Sequence, residues 1–146
     1  PRSLQGIDAP ARLVPLAIDE LPAFFVAAAC SSGVTTVSGA AELRIKESDR
    51  IAAMARGLAA LGIRTEPRPD GIRIEGGRLT GGVVDSHGDH RVAMSFAVAA
   101  LRAAGPVGIR DVANVATSFP GFAKTARRVG IVIEERKSAQ SQVARS

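Results

Sequence analysis

The run Leu43-Arg-Ile-Lys-Glu-Ser-Asp-Arg50 crowds Lys46, Glu47, Asp49 and Arg50 between two apolar stretches. Fixed cations of this kind hold a small anion, and carboxylates set among them can give and take protons. The run falls where a strand is expected to give way to a helix, and a helix N-terminus adds its own attraction for anions. With Ser48 as the expected cap, Asp49 and Arg50 lie in the first turn. Asp49 suits the helix dipole there, whereas a cation is disfavoured. Arg50 therefore points to an anion shared with the backbone amides; the plainer alternative is an ion pair with Glu47 or Asp49. Glu47 would need burial to serve as an acid near neutral pH.

A second charged junction, Asp89-His90-Arg91, opens another apolar helix. Asp89 is placed to cap it, Arg91 to clamp an anion, and His90 is open between a structural and a functional role. Asp19 follows Val14-Pro-Leu-Ala-Ile18 at the head of a third apolar stretch. It is open between a helix cap and a proton acceptor, which are not exclusive. Asn114 and Ala116-Thr-Ser-Phe-Pro-Gly-Phe122 stand where the first charged run has its counterpart, with Thr117 or Ser118 as a candidate cap.

The elements that must position these groups form a repeat. Ala17 to Gly33 and Gly88 to Gly105 each read as a charged opening, an Ala-rich helix and a closing glycine, about 70 residues apart. Each is followed by a short strand, Val34 to Val37 or Val107 to Ile109. A second helix then closes into Leu61 to Glu66 or Val129 to Glu134. Such a period implies repeated helix–strand–helix–strand units, here about 17–82 and 88–135. Phe24 to Cys30 and Val92 to Leu101 are apolar on every face, which demands burial on every side. Gly71-Ile-Arg-Ile-Glu75 instead alternates, so its sheet has one wet face. Helices inside and sheets outside is the reverse of the usual parallel α/β layering. Ile51, Met54, Leu58 and Leu61 recur at helical spacing before the stop at Gly62, Pro67 to Gly82 reads as strands and turns, and 138–146 is a polar tail.

Composition narrows the function. The 146 residues are 46% hydrophobic but only 3% aromatic, with a net charge of +5 and a pI near 10.6. The basic balance invites a nucleic-acid partner, but single-strand and RNA binders stack bases on aromatic rings, and the arginines are scattered among acids. Anionic small molecules fit better, and no nucleic acid is expected. No stretch has the apolar length of a membrane span, so no membrane partner is expected. Two histidines and one cysteine, Cys30, do not make a zinc site, and Cys30 reads as a buried thiol. There is no phosphate-binding Walker loop and no dinucleotide fingerprint. The start at Pro1 reads as a cut into a longer, cytoplasmic chain.

Three segments now carry a resemblance: Leu43 to Ile51, Asp89-His-Arg-Val-Ala-Met-Ser-Phe96 and Thr117-Ser-Phe-Pro-Gly-Phe122. In order and spacing they resemble the C-terminal third of the 5-enolpyruvylshikimate-3-phosphate synthases (3-phosphoshikimate 1-carboxyvinyltransferases). The similarity runs from about Val14 to Glu135. The Ile18 to Pro22 and Thr-Ser-Phe-Pro forms are similar to a divergent bacterial class of that family. The resemblance implies an inside-out α/β lobe of the enolpyruvyl transferase fold, present in part, with 1–137 as its C-terminal portion. It implies transfer of the enolpyruvyl group of phosphoenolpyruvate to the 5-hydroxyl of shikimate 3-phosphate, with release of phosphate, in aromatic amino acid biosynthesis. No metal or organic cofactor is implied. By motif, Asp19 resembles the carboxylate that contacts the shikimate hydroxyls and accepts a proton, and Lys46 the lysine beside the 5-hydroxyl. Glu47 resembles the carboxylate at the phosphoenolpyruvate methylene, and Arg50 and Arg91 the pair that clamps phosphoenolpyruvate. His90 resembles a neighbour of the substrate. Many relatives carry a lysine where this chain has Thr117-Ser118, so that contact is not carried over. The remaining N-terminal portion is the implied partner, and the isolated segment is expected to be inactive. The alternatives are the fold-sharing UDP-N-acetylglucosamine enolpyruvyl transferase and a non-catalytic anion-binding module.

Overall fold

The computed structural model describes residues 3–136. The expected polar tail, 138–146, lies outside the described residues. A 3-10 turn, Pro15–Glu20, leads into α1, Leu21–Ala29. Then come β1, Val34–Val37, a second 3-10 turn, Ala41–Ile45, and α2, Arg50–Ala60. Strands β2, Arg64–Arg68, β3, Gly71–Glu75, and β4, Gly82–Asp85, follow. The chain continues through α3, His90–Ala99, β5, Val107–Arg110, α4, Ala113–Ser118, and α5, Phe122–Arg128.

Helices α1, α2 and α3 touch one another at the centre. In α1, Leu21, Pro22, Phe25, Val26, Ala28 and Ala29 are all buried. The proline sits in the first turn, where its missing N–H breaks no helical hydrogen bond. Ile51, Met54 and Leu58 of α2, and Val92 and Phe96 of α3, are also inaccessible to water. Each such side chain contributes about 1.5–3 kcal/mol by its burial. Helix α2 ends at Gly62, whose φ of +84° lets the Ile63 amide reach back to the Leu58 carbonyl at 3.0 Å, closing the last turn as a glycine stop does.

The strands lie outside this helical core. A three-stranded antiparallel sheet has the order β1-β3-β2, with Val37 opposite Ile72 and Arg64 opposite Glu75. Ile72, Ile74 and Val37 point inward and are fully buried, while the Arg73 and Glu75 side of β3 is partly exposed. The alternation read in Gly71 to Glu75 is thus the two faces of one strand. Strands β4 and β5 form a separate parallel pair, with Gly82 opposite Val107.

Four details differ from the expectations. Val129 to Glu134 forms no strand: α5 is followed by an irregular segment with Ile131 buried and Val132 exposed. Its alternating residues have no strand beside them among the described residues, and a strand exists only through its ladder partner. Thr117 and Ser118 do not cap a helix; they end α4, and the helix that follows begins after Gly121, in left-handed conformation. The apolar run Val92 to Leu101 is not buried all round, because Val98 of α3, and Leu101 just beyond the helix end, reach the surface. Cys30 is only partly buried, beside a cavity of about 170 Å³ lined also by Arg78, Leu79 and Arg102.

The contact between α2 and α3 yields a prediction. A Cβ at Gly57 would lie 2.2 Å from Cζ of Phe96. Glycine to alanine in an open helix interior stabilises by about 1 kcal/mol, but overpacking a buried ring costs about 1–3 kcal/mol. The expected result of Gly57→Ala in the complete protein is a net loss of stability. A raised urea midpoint would contradict it.

Candidate functional site

Local capping builds the first charged run. The cap of α2 is Asp49, not Ser48: its Oδ1 accepts the Ala52 amide at 3.0 Å. Aspartate is among the best caps, and its second oxygen takes the Arg44 guanidinium at 2.7 Å. This moves Arg50 to the first residue of the helix and frees the Ser48 hydroxyl. Asp89 caps α3 as expected, accepting the amides of Arg91 at 3.0 Å and Val92 at 3.3 Å through Oδ1. Asp19 does not cap a helix. It lies in the 3-10 turn before α1, and the residue at the cap, Glu20, makes no capping bond through its side chain.

Arg50 is the centre of the arrangement, only 1% exposed. Its Nε donates to Asp89 Oδ2 at 2.8 Å, its Nη1 to Asp19 Oδ1 at 3.1 Å, and its Nη2 to Glu47 Oε2 at 2.5 Å. The pairing with Glu47 is one of the two given as the plainer alternative to a bound anion; that with Asp49 does not occur, because Asp49 is held by Arg44. The stranded cation at a helix start is explained by three carboxylates rather than by backbone amides. Their exposure separates them: Asp89 is 0% exposed, whereas the side chains of Asp19 and Glu47 are 47% and 51% exposed. Asp89 is a fixed counter-ion, and the other two stand at the open edge.

Lys46 lies beside them, with Nζ 3.5 Å from Asp19 Oδ1 and 2.5 Å from Glu42 Oε1. Arg91 approaches Asp19 from the other side, donating to its backbone carbonyl at 3.0 Å and to Glu20 Oε1 at 3.1 Å. The structure therefore gathers Asp19, Lys46, Glu47, Arg50 and Arg91 into one linked cluster. His90 is the first residue of α3 beside Arg91, half-buried, and its side chain joins no hydrogen bond among the described residues. His87 is engaged elsewhere, near Arg56 and Asp85. Thr117 and Ser118 are exposed, and Asn114 donates to the Gly88 carbonyl at 2.6 Å. Glu42 and Glu20 join the cluster without having been put forward as site residues, and Ser48, expected only as a cap, joins it through Asp89. No local signal marks them, since their partners are supplied by other turns and helices.

The charges set the protonation states. Desolvation works to raise the Asp19 carboxyl, but Lys46, Arg91 and Arg50 together outweigh it and hold it below the usual range. Desolvation likewise opposes ionisation of Asp89, and is overcome by Arg50, Ser48 and the Val92 amide, so that it too lies low. Lys46 is raised, first by its hydrogen bond to Glu42 against some desolvation, and further by Asp19. At neutral pH Asp19 is an ionised acceptor and Lys46 a protonated donor.

A carboxyl whose pKa is depressed by folding stabilises the native state above its unfolded value, about 3.9 for aspartate. That stability is lost as pH falls through the native value. The expected melting temperature of the complete protein is therefore level on acidification to about pH 5 and falls below about pH 4, with the acid limb shallower in Asp89→Asn. Equal acid limbs in the two proteins would contradict the assignment.

Among the described residues, no three His, Cys, Asp or Glu side chains are grouped as a metal ion would require. No helix among them is long and apolar enough to cross a membrane.

Residues 3–126 match the family described as EPSP synthase (3-phosphoshikimate 1-carboxyvinyltransferase). The chain belongs to this family. It is 62% identical over 133 residues to the 3-phosphoshikimate 1-carboxyvinyltransferase of Methylococcus capsulatus, covering 91% of this chain and 30% of that protein. It is 63% identical over 131 residues to the Acidithiobacillus ferrooxidans protein of that name, covering 90% of this chain and 30% of that one. The EPSP synthase structure from Acinetobacter baumannii superposes with a TM-score of 0.89 at 52% identity, covering 92% of this chain and 32% of that one. The fold is thus part of the α/β enolpyruvyl transferase fold. The chain spans about 30% of the length of the curated relatives it matches.

Proposed function

We propose that this chain forms one side of the active site of a 3-phosphoshikimate 1-carboxyvinyltransferase. The observation that carries this reading is the cluster around Arg50: a buried guanidinium whose two outer nitrogens meet half-exposed carboxylates, with Lys46 and Arg91 adjoining. A phosphorylated, carboxylated substrate can take the place of Asp19 and Glu47 on those nitrogens, because both side chains border solvent. Arg50 and Arg91 hold phosphoenolpyruvate, and fixed cations suit a multiply charged phosphoryl substrate.

The roles of the other groups follow from their charges. The 5-hydroxyl of shikimate 3-phosphate lies near Lys46 and Asp19; ionised Asp19 accepts its proton as the oxygen adds to C2 of phosphoenolpyruvate, and Lys46 steadies the oxygen as a donor. Glu47 is half-exposed and not buried, so in this reading it takes up a proton from solvent once phosphoenolpyruvate displaces it from Arg50, and delivers that proton to the C3 methylene. In the second step it removes a proton from the resulting methyl group as phosphate leaves, which restores the double bond. His90 lines the substrate side of α3. The N-terminal portion of the enzyme supplies the rest of the site and closes over it. In this reading, 17–82 and 88–135 are two copies of one structural unit, and the complete enzyme works in the cytoplasm with its phosphorylated substrates.

The test is phosphate release. A complete enzyme containing this chain is expected to release phosphate from phosphoenolpyruvate only when shikimate 3-phosphate is present, and the isolated 146 residues to release none. Release driven by UDP-N-acetylglucosamine instead, or turnover by the isolated segment, would refute the reading.

A further inference from the structure

We propose that Asp89 and Ser48 are positioning residues that hold Arg50 and Arg91 in one fixed relation, so that the two cations act as a pair. This deepens the proposed function and rests on the assignment of phosphoenolpyruvate to the two arginines. The two oxygens of Asp89 divide the task. Oδ1 accepts the amides of Arg91 at 3.0 Å and Val92 at 3.3 Å and so fixes the start of α3. Oδ2 accepts Arg50 Nε at 2.8 Å and Ser48 Oγ at 2.9 Å. One carboxylate is therefore both the cap of the helix that carries Arg91 and the counter-ion of Arg50.

Burial decides what this carboxylate does. Asp89 is 0% exposed, so it acts through the arginines and not on a substrate. Nε is the guanidinium nitrogen nearest the side-chain stem. Anchoring it leaves Nη1 and Nη2 facing the open edge, where Asp19 and Glu47 now sit. The Ser48 hydroxyl has a single proton and commits it to Asp89, which keeps the carboxylate from rotating away from Nε. Buried hydrogen bonds to a charged group are among the stronger ones, and a fixed guanidinium loses less freedom on meeting its anion.

The test uses the complete enzyme with Ser48→Ala, Ser48→Thr and Asp89→Asn. Ser48→Ala is expected to raise the KM for phosphoenolpyruvate about tenfold, while the KM for shikimate 3-phosphate stays at its wild-type value and the melting temperature falls only by the loss of one hydrogen bond to Asp89. Ser48→Thr, which keeps the hydroxyl, is expected to restore the KM. Asp89→Asn, which puts an amide where a carboxylate faced both Nε and the α3 amides, is expected to act in the same direction and more strongly. An unchanged phosphoenolpyruvate KM in Ser48→Ala would overturn the proposal. So would losses shared equally between both substrates and matched by a lower melting temperature, which mark a purely structural role. A wild-type enzyme with no phosphate release overturns the proposed function instead. In that case, calorimetric binding of phosphoenolpyruvate to wild type and Ser48→Ala decides the positioning role: weaker binding by the variant supports it and equal binding ends it.

Discussion

Glu47→Gln in the complete enzyme is expected to lower kcat by about 10²–10⁴, the range for loss of a positioned acid–base group, with little change in stability. The reason for the separation is placement. Glu47 is 51% exposed and bonded only to Arg50 among the described residues, so the amide can keep one hydrogen bond to the guanidinium and sacrifices no buried contact. The pair joins a half-exposed carboxylate to a buried guanidinium; water at the Glu47 end screens it toward the about 0–1 kcal/mol of surface pairs, too little to account for a thousandfold effect on turnover through misfolding. The measurements are steady-state phosphate release and thermal melting on the same preparation. Wild-type turnover would remove Glu47 from the proton transfers and revive the alternative of a non-catalytic anion-binding lobe. Loss of kcat with an equal loss of folded protein would remove it as well.

Arg50→Leu has the larger consequence for the fold. It leaves Asp89 wholly buried without its cation, and stripping one partner from a buried ion pair costs about 3–5 kcal/mol. Two further carboxylates, Asp19 and Glu47, lose the same partner, although both can turn toward water. The expected variant is markedly less stable and no longer binds phosphoenolpyruvate. Adding Asp89→Leu is expected to recover part of the stability and none of the activity, because removing both charges removes the buried, unpaired one. A double-mutant cycle over the two positions measures this coupling. Additive losses would show that the two side chains do not interact. Restored binding in the double variant would show that the guanidinium is not the anion's ligand.

The two variants also separate neighbours in one cluster by depth. At the open edge, charge can be altered with a local effect on chemistry. At Arg50 and Asp89 the same charges belong to the core, packed against α2 and α3, and function cannot be changed there without touching stability.

Much of this was legible in the chain itself. Helical spacing located α2 and alternation located β3, because burial of one face imposes its period on the residue order; α1 and α3 were read from apolar runs bounded by charge and glycine, and β1 and β5 from their places in the repeat. The apolar helices and one-sided β3 were enough to put helices inside and sheets outside. The two charged junctions and the uncharged Thr117 to Phe122 segment were together enough to name the family. Capping chemistry was less secure where two candidates adjoin: Ser48 and Asp49 both suit an N-cap, and only the backbone path shows that Asp49 reaches the Ala52 amide. Val129 to Glu134 has the pattern of a strand, but pattern cannot provide a ladder partner. Which carboxylates surround Arg50 was beyond any local reading. Asp19 and Asp89 lie 31 and 39 residues from it in sequence, on separate elements whose meeting is set by the packing of α1, α2 and α3. The residue types and their spacing determined what chemistry this chain can offer. Tertiary structure alone decided that Arg50 is buried, that Asp89 joins it to the helix of Arg91, and that Asp19 and Glu47 are left facing water, because desolvation and charge pairing depend on neighbours that the chain brings together only by folding.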